Sequence, residues 1–216
     1  MAQFKAAISD LDGVVVNTVP LHFKAWQRMF NEYGKEFTFD DYKAKVDGIP
    51  RVDGARAVLT DLSDDEIKTA CDKKQGYFIE MLKTEGVDQY DSTLKLLKEL
   101  KQNNIKIAII SSSKNLPYIL EKISRPELYD VYISGHDITK GKPDPQVFNM
   151  AAKKLGVAPE DSVVFEDAVL GVEAAKNANM KCVGVDRYNH PERLTKADIV
   201  VSDLSEVNYE KLIKLF

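Results

Sequence analysis

The sequence predicts an α/β fold, in which a doubly wound parallel sheet is interrupted by an inserted helical domain. From residue 88 onward, short continuous apolar runs alternate with amphipathic stretches, a pattern typical of parallel strands buried on both faces. Between residues 19 and 87 the alternation stops, and apolar residues recur at helical spacing. We therefore expect a Rossmann-like core domain of residues 1–16 plus 88–216 and a helical domain of residues 17–87.

Six apolar runs, each bounded by polar residues, are expected to form the sheet, and helical patterns lie between most of them. Strands that alternate with helices imply right-handed crossovers, so the strands are expected to be parallel. The expected strands are residues 4–9, 105–111, 131–134, 162–166, 181–185 and 198–201. The expected core helices are residues 92–102, 115–123, 144–155, 168–178 and 206–215.

The helical domain is expected to begin with an aromatic helix that ends before Gly34, a residue that suits the position after a helix terminus. Three further helices are expected at residues 39–46, 51–60 and 64–83. The last of them should start at Ser63 with a capping box, because Glu66 follows three residues later.

Composition excludes several classes of protein. The chain has 216 residues, 44% of them hydrophobic and 30% charged, which is ordinary for a globular protein. A net charge of −4 gives no footprint for nucleic acid, and no apolar run is long enough to cross a bilayer. Two cysteines and three scattered histidines predict neither a disulfide framework nor a zinc site. Since the N-terminus lacks the pattern of a secretory signal, we expect a cytoplasmic protein. We expect neither nucleic-acid nor membrane partners, and a monomer is the default expectation for a chain of this size.

Polar side chains follow four of the predicted strands. In an open parallel sheet, ligands bind at the carboxyl ends of the strands, so these residues are expected to converge on one edge. They are Asp10 and Asp12, the run from Ser111 to Asn115, Lys142, and the pair Glu166 and Asp167.

That set of residues suits phosphoryl transfer. Neighbouring carboxylates repel one another unless a cation lies among them, and oxygen ligands favour Mg²⁺. Lys142 and Ser111 add a positive charge and a hydrogen-bond donor for a phosphoryl group. Because Gly13 can turn the chain, one of Asp10 and Asp12 could attack phosphorus while the other handles protons.

Four motifs, each after its predicted strand, resemble those of the haloacid dehalogenase-like superfamily, and within it the β-phosphoglucomutases and sugar-phosphate phosphatases. They are ISDLDGVVVNT, IAIISSSKN, GKPDPQVF and VVFEDAVLGVEAA. The resemblance covers essentially the whole chain. It implies an Mg²⁺-dependent enzyme that acts on a small phosphorylated metabolite.

The resemblance implies a role for each matched residue. Asp10 would be the nucleophile that forms an aspartyl-phosphate, and Asp12 the general acid and base. The metal would be held by Asp10, by the backbone carbonyl of Asp12, and by Asp167 with Glu166 in support. The transferring phosphoryl group would be bound by Ser111, Lys142 and Asn115.

The helical insertion resembles the family's cap. Thr18, His22 and Lys74 match positions that couple cap closure to the placement of the acid/base aspartate. Arg51 matches the arginine that grips the distal phosphate of the substrate, and Trp26 matches an aromatic residue near the closed site.

Several positions depart from the family pattern. Asn17 and Asp47 stand where aspartate and lysine are common, and Gly54 and Ala168 each replace a serine. Asp47 is expected to be unfavourable beside a dianionic phosphate. None of these departures falls on a residue of the core chemistry. They bear instead on which substrate the enzyme accepts.

Three functions follow as alternatives. The cap matches favour a β-phosphoglucomutase, which converts β-glucose 1-phosphate to glucose 6-phosphate. Asp47 and Gly54 favour a phosphatase for sugar phosphates or other small metabolites, pyrophosphate included. A phospho-acceptor signalling domain also uses acids, a hydroxyl group and a lysine at a sheet edge, although it needs no lid. Nucleotide-binding glycine motifs do not occur in the sequence.

Overall fold

The computed structural model describes residues 2–47 and 49–216, which form two compact units. The sheet unit comprises the chain up to Asn17 together with Asp88–Phe216, and the helical unit comprises Thr18–Val87. In chain order the strands are β1 (Ala6–Asp10), β2 (Val16–Asn17), β3 (Asp88–Gln89), β4 (Lys106–Ile110), β5 (Val131–Ile133), β6 (Ser162–Glu166), β7 (Lys181–Val185) and β8 (Ile199–Val201). The helices are α1 (Val19–Glu32), α2 (Phe39–Lys45), α3 (Arg51–Arg56), α4 (Asp64–Thr84), α5 (Asp91–Gln102), α6 (Leu116–Ile123), α7 (Gln146–Leu155), α8 (Val169–Asn177) and α9 (Tyr209–Ile213).

A parallel sheet of six strands, in the order β5-β4-β1-β6-β7-β8, lies at the centre of the sheet unit. The predicted fold class is therefore confirmed, and each predicted strand is present within two residues of its expected bounds. The strand order reverses beside β1, because β4 and β5 extend the sheet on one side and β6, β7 and β8 on the other. Ligand sites of doubly wound folds lie at such a reversal, beyond the carboxyl ends of the strands.

Helices cover both faces of this sheet. Successive residues of a strand point to opposite faces, so Ala6 and Ile8 pack with Phe148 of α7, whereas Ala7 packs with Leu97 of α5. All five side chains are at most 1% exposed. The continuous apolar character of the strands thus reflects burial on two sides.

The structure differs from the expected helix bounds at two places. The expected helix 206–215 is a 3₁₀ turn, Leu204–Glu206, followed by α9. The side chain of Asn208 accepts a hydrogen bond from the Lys211 N–H (2.9 Å), so Asn208 caps α9 and sets its start. In the helical unit, α3 ends at Arg56 instead of residue 60.

A two-stranded antiparallel ribbon connects the points where the chain leaves and re-enters the sheet unit. Val16 of β2 pairs with Gln89 of β3, and Asn17 pairs with Asp88. The sequence analysis did not predict this ribbon, because two-residue strands carry no periodic signal.

The helical unit has its own hydrophobic core. Trp26, Met29 and Phe30 of α1 pack with Ile67 and Ala70 of α4. Gly34 follows α1 with φ of +68°, and the Glu66 carboxylate accepts from the Ser63 N–H (2.8 Å), as predicted. No helix formed by residues 2–47 and 49–216 has both the length and the apolar character needed to cross a membrane.

Candidate active site

Asp10 is the last residue of β1, and the chain turns immediately after it. Asp10 is 5% exposed, and its Oδ2 accepts a hydrogen bond from the Asp12 N–H at 2.9 Å. Gly13 has φ of +79°, a conformation that glycine adopts without steric cost, and its N–H donates to the Val16 carbonyl at 2.8 Å. The turn therefore places two carboxylates, two residues apart, at the carboxyl end of a central strand.

The ammonium group of Lys142 lies between two buried carboxylates. Its Nζ is 2.6 Å from Asp10 Oδ1, and it also forms an ion pair with Glu166, the last residue of β6. The Glu166 side chain is fully buried, and that of Lys142 is 13% exposed. Three separate chain segments thus meet at the Lys142 ammonium group, in agreement with the predicted convergence of these residues at one edge of the sheet.

Ser111, the residue after β4, brings a hydroxyl group to the same edge. Its Oγ donates to Asp12 Oδ2 at 2.9 Å and accepts from the Ser113 N–H at 3.0 Å. Ser113 Oγ in turn accepts from the N–H of Asn115, which stands at the N-cap position of α6. Ser111 therefore reaches the acid pair directly, while Asn115 is tied to the same serine loop.

Glu166 and Asp167 each lie against a glycine. A Cβ atom at Gly13 would overlap the carboxylate of Asp167, so Asp167 lies against the turn after β1. A Cβ atom at Gly171 in α8 would likewise overlap the carboxylate of Glu166. The sequence analysis missed Gly171, whose only signal was a glycine within a helical pattern.

The site is electrostatically unbalanced, with four acids near one lysine. Burial raises the pKa of Asp10 to about 8; Lys142 opposes this increase, while Glu166 and Asp12 add to it. Burial also raises the pKa of Asp167 well above its ordinary value, and the Glu166 and Asp10 charges raise it further. Burial alone would lower the pKa of Lys142, but the carboxylates of Asp10 and Glu166 outweigh it and raise that pKa.

These residues fit a hard divalent cation. Among residues 2–47 and 49–216, no three His, Cys, Asp or Glu side chains are arranged to hold a metal ion. Magnesium, however, commonly uses only one or two carboxylates and completes its shell with water and phosphate oxygens. Burial, and after it the charges of the neighbouring carboxylates, disfavour the ionised forms of Asp10 and Asp167, and Mg²⁺ would compensate both effects. Asp10, Asp167 and the Asp12 carbonyl are the candidate ligands, and Glu166 is engaged by Lys142.

Within the helical unit, the structure brings three predicted residues together. Lys74 Nζ is 2.8 Å from His22 Nδ1 and lies 5.1 Å from the centre of the Trp26 ring. The His22 ring stacks on Phe78 at 4.2 Å, a partner that the sequence analysis did not identify. Burial, followed by the charges of Lys74 and Arg51, lowers the pKa of His22 well below its ordinary value. His22 is therefore a neutral side chain in this unit.

The other predicted residues of the helical unit have different surroundings. Thr18 is buried at the N-cap position of α1, and its carbonyl accepts from the His22 N–H at 2.9 Å. Arg51 is the first residue of α3, and its Nη1 donates to the Cys71 carbonyl at 3.5 Å. Trp26 is 4% exposed and stacks on Phe30, so it is a core residue of the helical unit. The substrate roles of these residues stay predictions.

Comparisons with known proteins agree with this geometry. The sequence profile of the haloacid dehalogenase-like hydrolases matches residues 7–185. The β-phosphoglucomutase of Bacillus subtilis is 33% identical over 216 residues, covering 96% of this chain and 93% of that protein. The phosphorylated carbohydrates phosphatase of Thermotoga maritima is 33% identical and covers 82% of each chain. The crystal structure of a β-phosphoglucomutase from Clostridium difficile superposes with a TM-score of 0.85 at 30% identity, covering 99% of this chain and 96% of that one. This chain therefore belongs to the haloacid dehalogenase-like hydrolase family and is an enzyme of the phosphotransferase or phosphatase type.

Proposed function

We propose that this enzyme transfers the phosphoryl group of a small sugar phosphate through an aspartyl-phosphate on Asp10, with Mg²⁺ as cofactor. The observation that carries the proposal is the placement of Lys142 between Asp10 and Glu166, beside the hydrogen bond from Ser111 to Asp12. Phosphoryl transfer requires a nucleophile, a second acid, a hydroxyl donor and a cation, and all four lie here at one edge of the sheet. Among sugar phosphates, we propose the β-phosphoglucomutase reaction, from β-glucose 1-phosphate to glucose 6-phosphate.

Asp10 and Asp12 divide the chemistry between them. A carboxylate oxygen of Asp10 attacks phosphorus, the bond between phosphorus and the sugar oxygen breaks, and Asp12 gives a proton to that oxygen. In the second half, Asp12 takes a proton from the incoming hydroxyl group, which attacks the aspartyl-phosphate and regenerates Asp10. The hydrogen bond from Ser111 holds Asp12 between these steps.

Charge neutralisation is the task of the remaining groups. Lys142, Ser111 and Asn115 bind oxygens of the transferring phosphoryl group. Lys142 also favours the ionised form of Asp10, because its charge opposes the effect of burial on the Asp10 pKa. When bound, Mg²⁺ neutralises charge on the phosphoryl oxygens and on Asp10 and Asp167.

A phosphatase is the second candidate, because one substrate-binding position has changed. Gly54 stands where related enzymes often have serine, and a Cβ atom there would lie 3.1 Å from Val46 Cγ1. A serine would therefore crowd Val46. The relative from Thermotoga maritima is itself a phosphatase of phosphorylated carbohydrates. In the phosphatase reaction, water takes the place of the sugar hydroxyl group and attacks the aspartyl-phosphate.

A paired assay tests the proposal. The protein is incubated with Mg²⁺ and β-glucose 1-phosphate, with a trace of the 1,6-bisphosphate, while glucose 6-phosphate and free phosphate are both followed. If glucose 6-phosphate forms well ahead of free phosphate, the result supports the mutase. If only free phosphate forms, the result supports the phosphatase, and a panel of sugar phosphates and pyrophosphate is assayed next. Asp10→Asn should abolish both reactions. Turnover by Asp10→Asn, or a phosphorylated protein that never turns over, would contradict the enzymatic mechanism.

A further inference from the structure

Three consecutive main-chain carbonyls follow Asp12, and each accepts a hydrogen bond from a donor outside the turn. The carbonyl of Gly13 accepts from Arg187 Nε at 2.8 Å. The carbonyl of Val14 accepts from Thr93 Oγ1 at 2.6 Å, and that of Val15 accepts from the Tyr90 N–H at 3.0 Å. We call Arg187, Thr93 and Tyr90 the carbonyl clamp.

Arg187 makes further contacts that hold its side chain in place. The guanidinium of Arg187 lies 3.7 Å from the centre of the Tyr90 ring, and its Nη1 is 3.2 Å from Asp203 Oδ2. Ser92 Oγ donates to the same carboxylate oxygen at 2.8 Å. The Arg187 side chain is only 13% exposed, and Thr93 is fully buried. Donors that are buried, as Thr93 is, or held by further contacts, as Arg187 is, restrict the positions of the carbonyls that they bond.

The opposite side of the turn is tied to the sheet. The Leu11 N–H donates to the Ile110 carbonyl at 2.9 Å, and the Asp12 N–H donates to Asp10 Oδ2. The main chain of Asp12 is therefore fixed between the end of β1 on one side and the clamp on the other. Since the direction of a side chain follows its backbone torsions, the clamp acts on the direction of the Asp12 carboxylate.

We propose that Arg187, Thr93 and Tyr90 are positioning residues that hold the Asp12 carboxylate where it gives its proton to the leaving oxygen. This proposal rests on the proposed function, in which Asp12 is the general acid. Two of the donors come from the segment that re-enters the sheet unit at β3, and the third comes from the loop after β7. Neither segment carries one of the four sequence motifs, so nothing in those motifs assigns them this task.

The leaving group provides a readout that general damage to the fold would not move. When glucose 1,6-bisphosphate phosphorylates Asp10, the alkoxide of a glucose monophosphate leaves and needs the proton of Asp12. When acetyl phosphate does so, a carboxylate leaves as a stable anion without that proton. The ratio of kcat/KM for the two substrates therefore measures how well Asp12 is placed, because kcat/KM reports on the steps up to release of the leaving group.

Thr93→Val tests the clamp with the least change in volume, since it removes only the hydroxyl donor to Val14. Arg187→Lys keeps the charge but loses the planar group that stacks on Tyr90 while bonding to Gly13 and Asp203. For each variant we expect kcat/KM to fall roughly 10-fold to 100-fold for glucose 1,6-bisphosphate and by less than about threefold for acetyl phosphate. Thr93→Ser, which retains the donor, should recover the wild-type ratio.

Controls separate the proposal from the function on which it rests. Asp12→Asn should lower kcat/KM for glucose 1,6-bisphosphate selectively. Arg193 is an exposed arginine that stacks on Tyr188 in the same loop, and Arg193→Lys should change kcat/KM for neither substrate. Because both substrates are assayed on one sample, a loss of folded protein leaves their ratio unchanged.

Suppose that Asp12→Asn lowers kcat/KM selectively for the sugar phosphate, but the clamp variants lower it equally for both substrates. That result would overturn the clamp proposal alone. If Asp12→Asn lost activity equally on both substrates, the role of Asp12 as the general acid and the clamp proposal would fall together.

Discussion

The α-carbon of Gly13 faces the carboxylate of Asp167 so closely that a Cβ atom on Gly13 would overlap it. The two residues are far apart in sequence, one in the turn after β1 and the other directly after β6. Glycine is thus required here for two reasons, its φ of +79° and the space that Asp167 occupies. This relationship connects the conformation of the turn with the position of a proposed metal ligand.

Gly13→Ala should therefore weaken Mg²⁺ binding as well as folding. The left-handed backbone costs about 1–2 kcal/mol of unfolding free energy for alanine, and the new methyl group displaces Asp167. We expect the Mg²⁺ concentration for half-maximal activity to rise at least about tenfold. Gly86→Ala is the matched control, because Gly86 has φ of +76° and open space around it. An unchanged Mg²⁺ requirement in Gly13→Ala would refute the proposed role of Asp167.

Lys142→Gln should destabilise the metal-free protein. It leaves the buried carboxylates of Asp10 and Glu166 without their cation, and loss of one partner of a buried ion pair costs roughly 3–5 kcal/mol. The measurement is urea unfolding in a chelator. Lys140→Gln is the control, since Lys140 is 67% exposed and its ion pair with Asp144 is 3.3 Å long. Equal losses of stability in the two variants would contradict the bridging role of Lys142.

The raised pKa of Asp10 predicts a specific dependence of stability on pH. Between the ordinary value of 3.8 and about 8, the folded state holds a proton on Asp10 that the unfolded state releases. The free energy of unfolding in a chelator should therefore fall as the pH rises through this window, by up to about 1.4 kcal/mol per pH unit. Asp10→Asn should flatten the slope without abolishing it, because the pKa of Asp167 is raised as well.

Magnesium should reverse this trend, since a metal binds the ionised carboxylates. The stabilisation by Mg²⁺ is therefore expected to be larger at pH 8 than at pH 6. The same dependence on pH in Asp10→Asn and wild type would show that Asp10 is not the responsible group.

His22 predicts the opposite dependence at lower pH. Its pKa is held well below 6.5, mainly by burial, so the unfolded state binds a proton that the folded state excludes. The stability that neutral His22 confers is present above about pH 6.5 and is lost as the pH falls further. His22→Asn can retain an acceptor for Lys74 and should remove this loss between pH 7 and pH 5. His190→Asn serves as the control, because the His190 side chain is 64% exposed.

Arg51 is expected to act on substrate affinity. If it binds a distal phosphate, Arg51→Lys loses the bidentate geometry and should raise KM for glucose 1,6-bisphosphate about tenfold, with a small change in kcat. Arg56→Lys on the same helix is the comparison, since Arg56 pairs with Asp64. Unchanged KM values in Arg51→Lys would argue against a distal-phosphate role.

The alternation of elements could be read from local patterns. Each strand is a short apolar run with polar ends, and the chemical residues stand directly after those runs, as Asp10 and Glu166 do. Because adjacency in the chain places such residues at the ends of strands, the parallel topology alone brings them to one edge. The fold class and the set of acids at the site therefore followed from the order of residues.

The pairing of side chains across that edge followed from packing. Lys142 inserts between Asp10 and Glu166, and Arg187 holds the Gly13 carbonyl. The residues in these contacts are 132, 24 and 174 positions apart in the chain. No local period marks such contacts, since they depend on which surfaces meet when the strands associate. The burial that raises the pKa of Asp10 and lowers that of His22 has the same origin, because desolvation depends on the surrounding structure and not on chain neighbours.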